Sequence, residues 1–400
     1  MASQTPMLSI STTPTTPQQG AVTVGLGLTP PVTPTIEDAN ASETSANSPN
    51  ATTITPASGG CSDKPATVPN PPQFVDELEY QNDEEGRRIS FGSGAWSVVY
   101  KALALPRAST ATRPLTPPSS PTSKGRLVAV KSPGRRDARP VIYAEALALT
   151  RVSALPDSEH YIAPFHGYIA ESSSIVMSAI PLALSSYIED KARLAQQNFS
   201  TRTMFDPVLG MAQWHDLAKK LITSLSWLRS TAKIVHGDIK PHNILLQPRT
   251  LLADNESTDF PYEPLLIDFS SSYCITDDEK PTGTSLSAVT PPFTAPELLA
   301  ALSRPDVIPT LPSDVFSLAV TILAAATGDL LIYSGFNAGQ RLMRAKDGHM
   351  IIDFARCGNS GTRVPKNGLV EKLVKPAIAK DPTQRITPSA WLEMAKNELP

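Results

Sequence analysis

Three polar side chains of complementary chemistry lie within the run His236-Gly237-Asp238-Ile239-Lys240-Pro241-His242-Asn243. Ile234-Val235 precedes the run and Ile244-Leu245-Leu246 follows it, so a polar cluster is held between two apolar segments. That position marks a catalytic loop. Moving a phosphoryl group onto a hydroxyl requires a carboxylate near the hydroxyl, a cation on the terminal phosphate and oxygen ligands for a divalent ion. Asp238, Lys240 and Asn243 supply those types in order. Further on, Asp268-Phe269-Ser270 follows the apolar Leu265-Leu266-Ile267 and offers a second metal-binding carboxylate.

Upstream, Gly92-Ser93-Gly94 interrupts a stretch of β-branched and aromatic residues from Ile89 to Ala102, which reads as a β-hairpin with a glycine-rich turn. Glycines there let backbone amides approach phosphate oxygens, although alone the pattern reads better as an ordinary hairpin. Val128-Ala129-Val130-Lys131 is a strand ending in a lysine, which by itself could be a solvated strand end. Glu145 follows on a helical segment. A single Glu on a helix is usually a surface residue, but the order of these groups suits a lysine–glutamate pair across a cleft.

The elements that must position these groups are visible as periodicity. Val141 to Val152 has helical spacing, Ile175-Val176-Met177 is a short buried strand, and 244–246 and 265–267 are further strands. From Trp214 to Ile234 the recurrence of Leu217, Leu221, Leu225 and Leu228 predicts an amphipathic helix leading into His236. The most apolar stretch, Leu318 to Ala326, is too short to span a bilayer and reads as a buried helix. An α+β fold results: a small β-rich lobe over about 85–177, interrupted by a Ser/Thr/Pro-rich insertion at 107–125, and a larger helical lobe over about 181–398.

Folded sequence is expected from about Glu77, after a disordered Ser/Thr/Pro-rich tail over 1–75 that carries many of the 39 prolines. Ser/Thr-Pro pairs at Thr13, Thr16, Thr29, Thr33, Ser48 and Thr55, and at Thr116 and Ser120 in the insertion, suit an upstream proline-directed kinase as a partner. A net charge of −3 gives no basic field for nucleic acid or a membrane surface. Cys61, Cys274 and Cys357 form neither a disulfide framework nor a zinc site, and no targeting or membrane-spanning segment is evident. An intracellular location, cytoplasmic or nuclear, is expected.

The loop at His236 resembles the H-R-D-x-K-P-x-N loop of the serine/threonine protein kinases, and lysine two residues after the aspartate favours Ser/Thr acceptors. Val128 to Lys131 resembles the family's V-A-I-K strand, Asp268 to Ser270 its D-F-G segment, and Ala295-Pro296-Glu297 its A-P-E segment. The resemblance covers about residues 85–398 and implies the two-lobed kinase fold, protein substrates, ATP as co-substrate, and magnesium or manganese. It further implies that Asp238 orients the acceptor hydroxyl or takes its proton, Lys240 neutralises the γ-phosphate, and Lys131, held by Glu145, orients the α- and β-phosphates. Asn243 and Asp268 would hold the metal. The nucleotide would lie under Phe91, Gly92, Ser93, Gly94, Ala95, Trp96, Ser97, Val98 and Val99. Val99, Ala129 and Leu245 would sandwich adenine, with Met177 as gatekeeper and Ser178 to Ile180 as hinge. His236 and Phe269 would pack in the hydrophobic spine, and Arg385 would pair with Glu297.

Two positions depart from the family pattern. Gly237 stands where most members have an arginine that binds activation-loop phosphate, so phosphorylation at Thr282, Thr284, Ser285, Ser287 or Thr290 is not expected to be the on-switch. Ser270 stands in place of glycine, which should slow rearrangement of the Asp268 segment. The rival reading is a pseudokinase or scaffold that binds nucleotide and partners without transfer. Retention of Lys131, Glu145, Asp238, Lys240, Asn243 and Asp268 argues against it. Small-molecule phosphotransfer is disfavoured by the Ala295-Pro296-Glu297 segment and the long loop before it.

Overall fold

The computed structural model describes residues 70–107, 125–249, 259–275, 289–301, 307–333 and 335–398. The Ser/Thr-Pro sites of the tail and insertion lie outside the described residues, as do Thr282, Thr284, Ser285 and Ser287.

The amino-terminal part is a six-stranded antiparallel sheet: β1 (Glu77–Tyr80), β2 (Ser90–Ser93), β3 (Ser97–Leu105), β4 (Arg126–Pro133), β5 (Phe165–Ile169) and β6 (Ser174–Ser178). Helix α1 (Arg139–Ser153) lies between β4 and β5 in sequence. Spatial order is β1-β3-β4-β6-β5, with β2 paired to β3. Alternation along the strands separates two faces. Val128 and Val130 join Ala102, Ala104 and Val176 in a small core on one face. On the other, Ile175 and Met177 join Ile142, Ala146 and Leu149 of α1 in the main core. Lys131 therefore points from β4 towards α1.

The carboxyl-terminal part holds α2 (Leu184–Gln197), α3 (Met211–Trp227), the short strands β7 (Ile234–Val235), β8 (Ile244–Pro248), β9 (Tyr262–Leu266) and β10 (Tyr273–Cys274), and α4 (Pro296–Ala300). It continues through α5 (Leu311–Thr327), α6 (Ala338–Lys346), α7 (Ile351–Cys357), α8 (Leu369–Val374) and α9 (Pro388–Asn397). Helix α5 is buried from Ser313 to Thr327, which is why its sequence is apolar on every side. Thr310 and Ser313 form a reciprocal cap at its start, and Gly328 in the left-handed region ends it. The Trp214 indole of α3 donates to the Ile322 carbonyl of α5 (3.0 Å), fixing the two long helices together. Among the described residues no helix is long and apolar enough to cross a membrane.

Two boundaries differ from expectation. The helix does not continue to Ile234: α3 stops at Trp227, a wide turn follows, and left-handed Lys233 (φ 51°) turns the chain. Ile234 and Val235 then pair with Cys274 and Tyr273. Their apolar character serves a strand that happens to fall near the helical period. Residues 70–75, assigned by composition to the tail, run beside β5, with Tyr168 bonded to both Pro72 and Phe74. β1 begins at Glu77, where folded sequence was expected to start, ahead of the kinase-like stretch expected from 85.

Candidate active site

The loop bearing Asp238 is held from below by α5. Asp314 accepts the His236 amide at Oδ2 (2.7 Å) and the Gly237 amide at Oδ1 (2.9 Å). Burial pushes the Asp314 carboxyl up to about 7 against the pull of those two amides. His236 is fully buried, and burial lowers its pKa. Its Nε2 lies 3.1 Å from the Ile267 carbonyl, which can only accept, while Nδ1 faces the Asp238 amide at 3.3 Å. The ring is thus a neutral Nε2–H tautomer, set 4.8 Å from the Phe269 ring. It props the loop by packing and hydrogen bonding.

Asp238 receives the Lys240 ammonium (2.7 Å) and the Asn243 amide (3.0 Å) on the same oxygen, Oδ2. Asn243 Nδ2 also donates to the Asp238 carbonyl (2.9 Å). Among the described residues no donor reaches Asp238 Oδ1 or the Asn243 side-chain carbonyl oxygen, so both are open to accept. Lys240 further donates to Thr290 Oγ1 (3.1 Å), while the Thr290 amide is held by Thr294 Oγ1 (2.8 Å). Thr290, one of the loop hydroxyls noted in the sequence, is part of the Lys240 setting. Its contact spans fifty positions, and only the Ser/Thr-rich character of that loop was visible beforehand.

Above the loop, Lys131 Nζ contacts Glu145 Oε1 (2.8 Å) and Asp268 Oδ1 (2.7 Å). Lys131 and Glu145 are 5% and 1% exposed, so the pair is withdrawn from water. Burial opposes the charge on Lys131, but two carboxylates outweigh it and raise its pKa. For Asp268, burial is likewise outweighed, here by the Lys131 ammonium aided by the Ser270 hydroxyl, and its pKa is held far below the carboxylate range. Burial pushes Glu145 up to about 7, partly offset by Lys131. Asp268 sits in the left-handed region (φ 66°, ψ 71°) at the head of a one-turn helix over Phe269–Ser271.

The glycine-rich hairpin joins β2 to β3, closed by Gly94 N–H donating to Ser97 O (2.8 Å). A Cβ at Gly92 or Gly94 would meet nothing within 4 Å, so protein packing does not explain these glycines and the space over them is open. Ser97 is buried, Phe91 is exposed, and the Trp96 ring lies under the Arg135 guanidinium at 4.3 Å. Register places Val99 opposite Lys131 and Ala129 opposite Met177. Beyond Met177 the chain passes Ser178, bonded to His166 (2.9 Å), and Ile180. It reaches Ala183, which bridges to Leu245 on β8. Ala95 and Val98 lie within the same hairpin and strand.

Asn243 and Asp268 are brought together by the β8–β9 pairing, with Ile267 N–H donating to the Asn243 carbonyl (3.0 Å). One amide and one carboxylate oxygen suit magnesium, which takes few protein ligands and completes its shell with phosphate oxygens and water. Farther down, Arg385 grips Glu297 with both nitrogens (2.7 and 2.6 Å) and bonds the Pro312 carbonyl, tying the segment after the catalytic cleft to α5.

A small sheet holding a lysine–glutamate pair over a helical part that presents Asp238, Lys240 and Asn243 is the architecture of the protein kinases. The family described as protein kinase domain matches residues 122–395, and the chain belongs to it. It is similar to the serine/threonine-protein kinase ISR1 of Saccharomyces cerevisiae, 29% identical over 239 residues, which are 58% of this chain and 49% of that protein. Over 94 residues, 24% of the chain, it is 40% identical to the serine/threonine-protein kinase PknK of Mycobacterium tuberculosis, covering 7% of that protein. The chain thus spans about half the length of the yeast relative and a small part of the mycobacterial one.

Proposed function

We propose that this protein transfers the γ-phosphoryl group of ATP to Ser or Thr hydroxyls of protein substrates. The observation that carries the reading is the division of labour at Asp238: Lys240 and Asn243 share Oδ2, which leaves Oδ1 to receive a hydroxyl. Lys240 balances charge that builds on the transferred group, and Lys131, steadied by Glu145, orients the nucleotide phosphates. Asn243 and Asp268 would hold the magnesium, which shields phosphate charge when bound. Transfer then rests on positioning and electrostatics rather than on a covalent intermediate.

A scaffold without transfer is less consistent with this site, because no group that the chemistry needs has been replaced. The test is phosphate incorporation from radiolabelled ATP into a varied peptide library by full-length wild type and Asp238→Asn. Incorporation by wild type and a loss of at least about a thousandfold in the variant are expected. Equal incorporation by the two would falsify the enzyme reading.

The same reading includes control without activation-loop phosphorylation. Gly237 supplies no side chain for a phosphate, and Thr290 is already engaged by Lys240. An upstream proline-directed kinase acting on the tail and on the 107–125 insertion, and a cytoplasmic or nuclear location, complete the proposal.

A further inference from the structure

Residues 70–76 precede the matched 122–395 and belong to none of the motifs above. β5 is the outer strand of the sheet, and an outer strand presents unpaired N–H and C=O groups. Residues 72–74 cover them: Phe74 N–H donates to Tyr168 O (3.0 Å), Tyr168 N–H donates to Pro72 O (2.8 Å), and Gln73 bridges to Tyr168 in parallel. The approach is close enough to demand a glycine. Gly167 has φ 142°, and a Cβ there would lie 2.9 Å from both Phe74 N and Pro72 O.

The segment touches both cores. Phe74 packs against the small core of the sheet. Tyr168, gripped by the segment's backbone, belongs to the main core and meets the Tyr143 ring edge-on at 5.6 Å. Tyr143 O–H donates to Asn70 Oδ1 (3.3 Å). Tyr143 lies on α1, two residues before Glu145, whose carboxylate reaches Lys131 only while α1 stays against the sheet.

We propose that residues 70–76 are a positioning strap for the reaction, fixing α1 against β5 and so holding Glu145 on Lys131. The proposal rests on the reading of Lys131 and Glu145 as nucleotide-orienting residues. Asn70, the first described residue of the segment, is thus bonded directly to the helix that carries Glu145.

The experiment uses the full-length chain with Phe74→Pro, which removes one strap donor and the ring, and separately Tyr143→Phe, which leaves every backbone bond in place. Amide exchange of residues 139–153 is read alongside ATP KM and kcat. Phe74→Pro should speed exchange in α1 about tenfold, raise KM for ATP and lower kcat/KM about tenfold, equivalent to about 1.4 kcal/mol. Exchange in α3 and α5 should stay at the wild-type rate. Tyr143→Phe should shift the same readouts about twofold. Release of 70–76 with unchanged α1 exchange and unchanged kinetics would overturn the proposal, reducing the strap to an edge cover. Loss of protection in α3 and α5 together with α1 would overturn it as well. Should wild type transfer no phosphate, α1 exchange and binding of a non-hydrolysable ATP analogue still decide the strap separately from the enzyme reading.

Discussion

Replacing Gly237 by arginine, the usual residue of the family at this position, is expected to damage the protein instead of adding a regulatory contact. Gly237 has φ 82°, and a Cβ there would fall 2.5 Å from Ser271 O, 2.9 Å from Pro309 Cγ and 3.1 Å from Ser271 Cβ. A non-glycine residue in the left-handed region costs roughly 1–2 kcal/mol. Rotating out of it would break the bond from the Gly237 amide to the buried Asp314 carboxylate, a charged-group bond worth about 1.5–3 kcal/mol. Ser271 cannot retreat freely, because Tyr273 two residues on is paired with Val235 and its hydroxyl donates to Pro309 O (2.8 Å). Whichever route the backbone takes, the loss is about 1–3 kcal/mol, or roughly 2–6 °C in Tm at about 2 °C per kcal/mol for a large domain. Any retreat of Ser271 also drags the turn headed by Asp268, so kcat/KM should fall by about tenfold or more. Thermal unfolding and steady-state kinetics of wild type, Gly237→Ala and Gly237→Arg measure both effects. An arginine variant with unchanged Tm and activity, or one newly dependent on activation-loop phosphate, would refute the reasoning.

Thr290→Ala removes the hydroxyl that holds Lys240 and should lower kcat about tenfold at unchanged KM for ATP, with Thr290→Ser close to wild type. An alanine variant as fast as wild type would place Thr290 outside the machinery. Ser270→Gly deletes the hydroxyl beside Asp268 and restores backbone freedom, so an inhibitor that selects the displaced Asp268 segment should associate faster. Equal association rates would argue against a restraining Ser270. Asp314 is pushed by burial from its ordinary 3.8 up to about 7, so between those values the folded state keeps a proton that the unfolded chain has released. Its contribution is fully present below about pH 4 and falls as pH rises towards about 7, with a slope of up to about 1.4 kcal/mol per pH unit. Urea unfolding across that range should show a flatter profile for Asp314→Asn, and parallel profiles would reject the assignment.

The candidate site groups were readable because each stands at a fixed local spacing. Asp238, Lys240 and Asn243 share one loop, and the alternation of Val128 to Lys131 turns the lysine to the face opposite Val128 and Val130. The register that sets Ala129 opposite Met177 then follows from strand pairing. Periodicity was less reliable at element ends. Ile234 continued the apolar rhythm of α3, but a left-handed Lys233 and the partner strand at Tyr273–Cys274 decided its conformation.

Composition, spacing and residue order thus determined by themselves the two-lobed class, the kinase resemblance and the set of ionisable groups, since these depend on short-range pattern and on which functional groups exist. Tertiary structure alone decided three other matters. It showed why position 237 is occupied by glycine, that Thr290 serves Lys240, and that residues 70–76 reach α1 across β5. Each depends on atoms that are distant in sequence and meet within a few ångströms. A single chain carries no local signal for such encounters, because their energy appears only once packing has fixed the backbone on both sides.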